Sequence, residues 1–140
     1  LSGVALDIHI DGASRGNPGD AGFGVHVTRR DGGELAGLYG FLGRATNNVA
    51  EYQALIHALR FAIAREASDV RVFSDSELVV KQMNGQYKVK HPDMIPLHRE
   101  ARLLIGKLPK VSLSHVRREQ NRDADRLANR ALDEKASRLS

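Results

Sequence analysis

The chain has 140 residues, 41% hydrophobic and 27% charged, with a net charge of +4 and no cysteine. That length suits one domain over residues 1–140 with a sizeable hydrophobic core, and the missing thiols exclude disulfide frameworks, thiol nucleophiles and thiolate zinc sites, which fits a reducing, cytoplasmic setting. No apolar run approaches the roughly 20 residues of a membrane span and no signal peptide is visible, so a membrane partner is not expected; the start at Leu1 rather than Met is what a processed chain or an excised domain would show.

Residues 4–10 (VALDIHI) alternate in polarity and read as a strand ending at Asp11. The run GASRGNPGDAG is turn chemistry. Residues 22–29 and 34–42 read as two further strands joined by a hairpin at Arg30-Asp31-Gly32-Gly33. From Thr46 to about Arg65 the pattern becomes helical, with Val49, Leu55, Ile56, Leu59, Ala62 and Ile63 on the apolar face. VRVF (70–73) is a short buried strand, and a helix begins after Asp75. A second helix is expected from Pro92, at an N1-like position, to about Leu104. VSLSHV (111–116) is the last strand, and a final helix starts near Asn121 with Leu127, Ala128, Ala131 and Leu132 inward. The tail after Glu134 reads as frayed. Three sequential antiparallel strands followed by crossovers give an α/β fold, a mixed sheet with helices on its faces.

Gly12-Ala13-Ser14-Arg15-Gly16 matches the G-x-S-x-G elbow of serine hydrolases. That motif needs a helix after the serine and a large parallel sheet. Here Asn17-Pro18-Gly19 and another strand follow, so a glycine-rich turn is the better reading. No Walker motif is present, and five histidines (His9, His26, His57, His91, His98) show no metal-ligand spacing and read as structural.

Four acids stand at the edges of elements: Asp11 and Asp75 where strands stop, Glu51 about one turn into a helix, and Asp125 in the first turn of the last helix. Each alone has an ordinary explanation, as turn former, surface charge or helix N-terminal acid. Together they fall where strand ends and helix starts converge at one edge of an α/β sheet. Clustered carboxylates repel, so such a group calls for cations or for retained protons. Charge is also uneven. Residues 1–70 carry 6 basic and 8 acidic side chains, and residues 71–140 carry 15 and 9. A basic half beside an acid cluster suits a polyanionic substrate.

The motifs D-G-x-S-x-G-N-P-G, T-N-N-x-A-E-Y-x-A-L, S-D-S-E-L-V-V and N-x-x-A-D-x-L-A-N, in this order over about Leu6 to Asp133, resemble ribonuclease H of type 1. The KVKHPD stretch at 88–93 brings the likeness closest to the compact archaeal and actinobacterial members. The resemblance implies the ribonuclease H-like fold, a five-stranded mixed sheet in order 3-2-1-4-5 flanked by helices. It implies metal-dependent hydrolysis of the RNA strand of RNA–DNA hybrids, leaving 5′-phosphate and 3′-hydroxyl ends, by a monomer. It places the four catalytic, metal-holding acids on Asp11, Glu51, Asp75 and Asp125, with Asp11 bridging two ions. Oxygen ligands suit Mg²⁺ or Mn²⁺, and two such ions neutralise four carboxylates.

The same resemblance points to Asn17, Asn47 and Asn48, with Thr46 and the Gly12, Ala13 and Ser14 turn, as readers of RNA 2′-hydroxyls. Thr46 or Asn47 is equally a helix cap. Lys81, Lys88 and Lys90 are candidates to track phosphates of the DNA strand, and Tyr87 either stacks on a sugar or is buried. A non-catalytic hybrid- or RNA-binding module on the same fold is the alternative, and double-stranded RNA is a second possible substrate because both duplexes approach A-form.

Three departures from the family pattern stand out. Gly85–Asp93 is too short for the basic protrusion of many bacterial relatives. Glu77 stands where a substrate-contacting Gln is usual. The loop before Asp125 is short and reads Arg117-Arg118-Glu119-Gln120, so Arg118 takes the place of a loop histidine. His115 belongs to the last strand.

Overall fold

The computed structural model describes residues 3–140. Its elements follow the chain as β1 (Ala5–Gly16), β2 (Gly19–Arg29), β3 (Glu34–Ala45), α1 (Asn47–Ala64), β4 (Asp69–Ser74), α2 (Glu77–Met83), α3 (Ile95–Ile105), β5 (Val111–His115) and α4 (Arg122–Glu134), with a single 3-10 turn at Arg118–Gln120 before α4. The strands form one sheet in the order β3-β2-β1-β4-β5, as the resemblance implied. β1–β2 and β2–β3 are antiparallel, while β4 joins β1, and β5 joins β4, in parallel.

Period-2 alternation in β1 sends Leu6, Ile8 and Ile10 to one face, where all three are fully buried. They meet Phe23, Val25 and Val27 of β2 and the inner side of α1, forming the main core. That inner side is broader than the sequence suggests: Tyr52, Ala54 and Ala58 are buried on it, whereas Val49 and Ile63 are only partly covered. The opposite face of the sheet carries α4. Here the strands offer glycine and the helix offers alanine. A Cβ on Gly24 would fall under 3.0 Å from Ala124 O and Ala128 N, and one on Gly22 would lie 3.1 Å from the Ala131 Cβ. Close approach of α4 to the sheet therefore depends on bare backbone in β2. Ala124, not Leu127, is the first fully buried residue of that helix; Leu127 is half-buried.

Several boundaries differ from the sequence reading. β1 and β3 run on to Gly16 and Ala45, because the glycine-rich segment pairs with β2 in unbroken register from Leu6↔Arg29 to Gly16↔Gly19. α3 starts at Ile95, and the proline in its first turn is Pro96 rather than Pro92. The tail is held instead of frayed: the Tyr39 and Arg138 backbones exchange hydrogen bonds of 2.9 and 2.8 Å, and Ser137 Oγ accepts from Phe41 N. This covers part of the free edge of β3. The hairpin at 30–33 forms as expected, with Gly32 and Gly33 at φ of 110° and 91°.

Candidate active site

The site grows from the point where two parallel strands part. β1 and β4 pair from Ala5↔Asp69 to Ile10↔Ser74 and no further. One residue on, Asp11 pairs only with Gly24 of β2. Asp11 is thus not a strand end, as the sequence suggested, but the first residue of β1 freed from β4. Asp75 is the residue with which the chain leaves β4. The two backbone acceptors at the fork are taken: Ile10 O by Asn121 Nδ2 at 2.9 Å, and Ser74 O by Val116 N at 2.9 Å. The side chains of Asp11 and Asp75 are left to face the opening.

α1 delivers Glu51 to the same place. Thr46 caps the helix by accepting from Val49 N at 3.2 Å, which settles the choice between Thr46 and Asn47. Glu51 sits one turn later, 3% exposed. Its Oε2 accepts from Gly12 N at 2.7 Å and its Oε1 from Ser74 Oγ at 2.6 Å. Gly12 is required here, since a Cβ would fall under 3.0 Å from Glu51 N and Ala50 C. Asp11, Glu51 and Asp75 each place a carboxylate oxygen within 4.8 Å of the others. Asp125, in the first turn of α4, completes the wall of a cavity of about 350 Å³ lined also by Gly12, Ala13, Ser14, Asn47, Ser76 and Arg118.

Crowding shows in the protonation equilibria. Burial first, and then repulsion from Glu51, Asp75 and Asp125, together push the Asp11 carboxyl up to about 9. Burial pushes Glu51 up to about 7, against the hydrogen bonds from Ser74 and Gly12 that favour its charged form. An all-oxygen donor set this closely grouped fits a hard divalent cation, and a cation removes the repulsion that otherwise keeps protons on it.

The other predicted residues lie in several places. Ser14 Oγ donates to Asn47 Oδ1 at 3.0 Å, and Asn17 Oδ1 accepts from Asn47 N at 3.1 Å, so the β1–β2 turn is tied to the start of α1. Asn17, Thr46 and Asn48 line a smaller neighbouring cavity of about 150 Å³ with His91 and Met94. Lys88 and Lys90 are not brought to the acids; they line a separate groove of about 630 Å³ with Tyr87, Ile95, His98 and Arg99. Tyr87 is 47% exposed rather than buried, with the Lys81 ammonium 5.0 Å from its ring centroid. Glu77 pairs with Lys81 on the outside of α2. His115 is the last residue of β5, while Arg118 opens the 3-10 turn and reaches the acid cavity. Sequence reasoning missed the roles of Ser74 and Asn121, whose partners lie far along the chain, and of Ser76, which caps α2 at Val79 N.

A family model described as reverse transcriptase-like matches residues 9–131. The ribonuclease H domain of Rv2228c from Mycobacterium tuberculosis, solved as a fusion with maltose-binding protein, superposes with a TM-score of 0.90 at 46% identity, covering 94% of this chain and 95% of that one. The chain belongs to the type 1 ribonuclease H family. RNase H1 of the halophilic archaeon Halobacterium salinarum gives a TM-score of 0.90 at 43% identity over 93% of this chain and 98% of that one. LC11-RNase H1, solved in complex with an RNA/DNA hybrid, gives 0.87 at 40% identity over 93% and 98%. The chain spans 35% of the length of the full mycobacterial relative, which is described as bifunctional, and 66% of the archaeal ribonuclease HI.

Proposed function

We propose that this chain is an endoribonuclease that hydrolyses the RNA strand of RNA–DNA hybrids, with Asp11, Glu51, Asp75 and Asp125 holding two Mg²⁺ or Mn²⁺ ions when substrate is bound. The observation that carries this is the acid cluster itself: three carboxylate oxygens within 4.8 Å of one another, in an open cleft, on a ribonuclease H fold. A module that only bound hybrids would gain nothing from ionising two buried acids against each other. Bound divalent cations supply Lewis acidity toward the scissile phosphate and the attacking water.

The chain's own residues do the rest. Asp11 interacts with all three other acids and would be shared between the cations when they are bound. Glu51 is held by two hydrogen bonds and brings a carboxylate that cannot swing away. Arg118, on the cavity rim, meets the phosphate charge and eases departure of the product; a guanidinium holds its proton throughout, so it orients and neutralises rather than shuttles. The Gly12–Ser14 backbone and Asn47 beside the acids, with Asn17, Thr46 and Asn48 around the neighbouring cavity, would read 2′-hydroxyls in a wide minor groove. Lys88 and Lys90 border a groove whose lining holds no acidic residue, suited to the DNA-strand phosphates in place of a basic protrusion. Cleavage leaves a 5′-phosphate and a 3′-hydroxyl, and the enzyme works as a cytoplasmic monomer.

The test is end-labelled RNA–DNA hybrid, RNA duplex and DNA duplex incubated with Mg²⁺, Mn²⁺ or EDTA. Metal-dependent cutting of the RNA strand in the hybrid is expected. Binding without cutting would favour the non-catalytic module, and equal cutting of the RNA duplex would widen the substrate class.

A further inference from the structure

We propose that Ser74 is a positioning residue of the acid cluster: its hydroxyl orients the Glu51 carboxylate and ties it to the backbone that carries Asp75, so that both acids present one cation site. The inference rests on reading the cluster as a divalent-cation site.

The geometry leaves the hydroxyl only one arrangement. Ser74 is the last residue of β4 and is 1% exposed. Its Oγ lies 3.0 Å from Ser76 N and 2.6 Å from Glu51 Oε1. The backbone N–H of Ser76 can only donate, so Oγ accepts there, and its single proton is directed to Glu51. The bond to Glu51 has the short length of a charge-assisted hydrogen bond. With Gly12 N on Oε2, each Glu51 oxygen has one protein donor and one remaining lone pair.

Three elements meet in that one side chain. Ser74 closes the β1–β4 pairing opposite Ile10, contacts α1 through Glu51, and contacts the start of α2 through Ser76, whose own hydroxyl caps the helix at Val79 N. Asp75 lies between the two serines. The hydroxyl therefore links Glu51 to the backbone on both sides of Asp75. Without it, Oε1 has no other protein donor among the described residues, and the carboxylate is held only at Oε2 by Gly12 N. Groups that orient a metal ligand in this way typically change affinity by about 10- to 100-fold when removed.

The test compares Ser74→Thr with Ser74→Val, two side chains of nearly the same shape that differ in the hydroxyl. Mn²⁺ alone is titrated into the full chain by calorimetry, with folding checked by circular dichroism, and hybrid KM and kcat are measured alongside. Thr is expected to bind Mn²⁺ within about threefold of wild type and Val about tenfold more weakly, with hybrid KM unchanged and kcat lowered in Val alone. In a Glu51→Gln background the difference between Thr and Val is expected to vanish. Equal Mn²⁺ binding by Thr and Val, at whatever level, overturns the inference, as does a difference that persists without Glu51. Failure of the wild-type chain to bind Mn²⁺ would overturn the cation site as well, which distinguishes that failure from a failure of Ser74 alone.

Discussion

Asp11→Asn should make the cation-free protein more stable while destroying its activity. The Asp11 carboxyl titrates ordinarily near 3.8 and is pushed up to about 9 in the folded chain, first by burial and then by its acidic neighbours. A raised acid contributes stability that is full below the unfolded value and is lost as pH climbs toward the folded one. Wild-type stability in EDTA should therefore fall between about pH 4 and pH 9. Glu51, pushed up to about 7, adds to the decline over the lower part of that range. For Asp11, the interval from 3.8 to about pH 7.5, at about 1.36 kcal/mol per pH unit, amounts to at most about 5 kcal/mol. The buried amide of Asn needs partners of its own, which takes back about 1–3 kcal/mol. A net gain of about 2–4 kcal/mol remains, or a Tm higher by on the order of 10 °C. Thermal unfolding of both proteins in EDTA from pH 4 to pH 9 reads this directly. The advantage of Asn should widen with pH and shrink when Mg²⁺ is added. A variant no more stable than wild type at high pH in EDTA, or an advantage independent of pH, would refute the account of a repulsive, cation-dependent cluster.

Other substitutions probe the supports. Arg118→Ala should lower kcat on the hybrid by about tenfold or more, as expected of a group that stabilises developing phosphate charge, with Mn²⁺ binding intact; unchanged turnover would remove Arg118 from the reaction. Gly12→Ala places a methyl group against the backbone of α1 and should cost about 3 kcal/mol in urea unfolding as well as the activity. Asn121→Ala removes the donor to Ile10 O that joins the start of α4 to β1 and should cost about 1–3 kcal/mol, together with weaker Mg²⁺ dependence through a displaced Asp125. A silent Asn121→Ala would mean that α4 is held by its alanine–glycine contact alone.

What the sequence revealed and what it hid follow from range. The alternation in β1, the hairpin glycines at 32–33 and the Thr46 cap are local signals, and each marks an element that the structure contains, although β1 runs on past Asp11. The four acids were legible because they stand beside strand- and cap-forming patterns. The glycine-rich segment after Asp11 reads as a turn by composition, yet pairing with β2 makes it strand, a tertiary override of propensity. Pro92 and Pro96 offer the same local cue, but the chain makes a turn at 91–95, with Met94 N and Ile95 N both donating to His91 O, before α3 begins. Ser74 and Asn121 stand in the motifs around Asp75 and Asp125, but their roles could not be read there. Their partners lie 23 and 111 residues away, and a serine beside an aspartate or an asparagine before a helix looks like an ordinary cap. The Asn121 Oδ1 is buried without a partner among the described residues, a cost accepted where β1, β4 and α4 meet.

The central claim, that four acids on β1, α1, α4 and the exit from β4 form one cation-dependent hydrolytic site, is tested most directly by single-turnover cleavage of a hybrid labelled on both strands. The account predicts cutting of the RNA strand alone, with 5′-phosphate and 3′-hydroxyl ends, abolished by EDTA and by Asp11→Asn. Cleavage that survives EDTA, or wild-type turnover by Asp11→Asn, would contradict it.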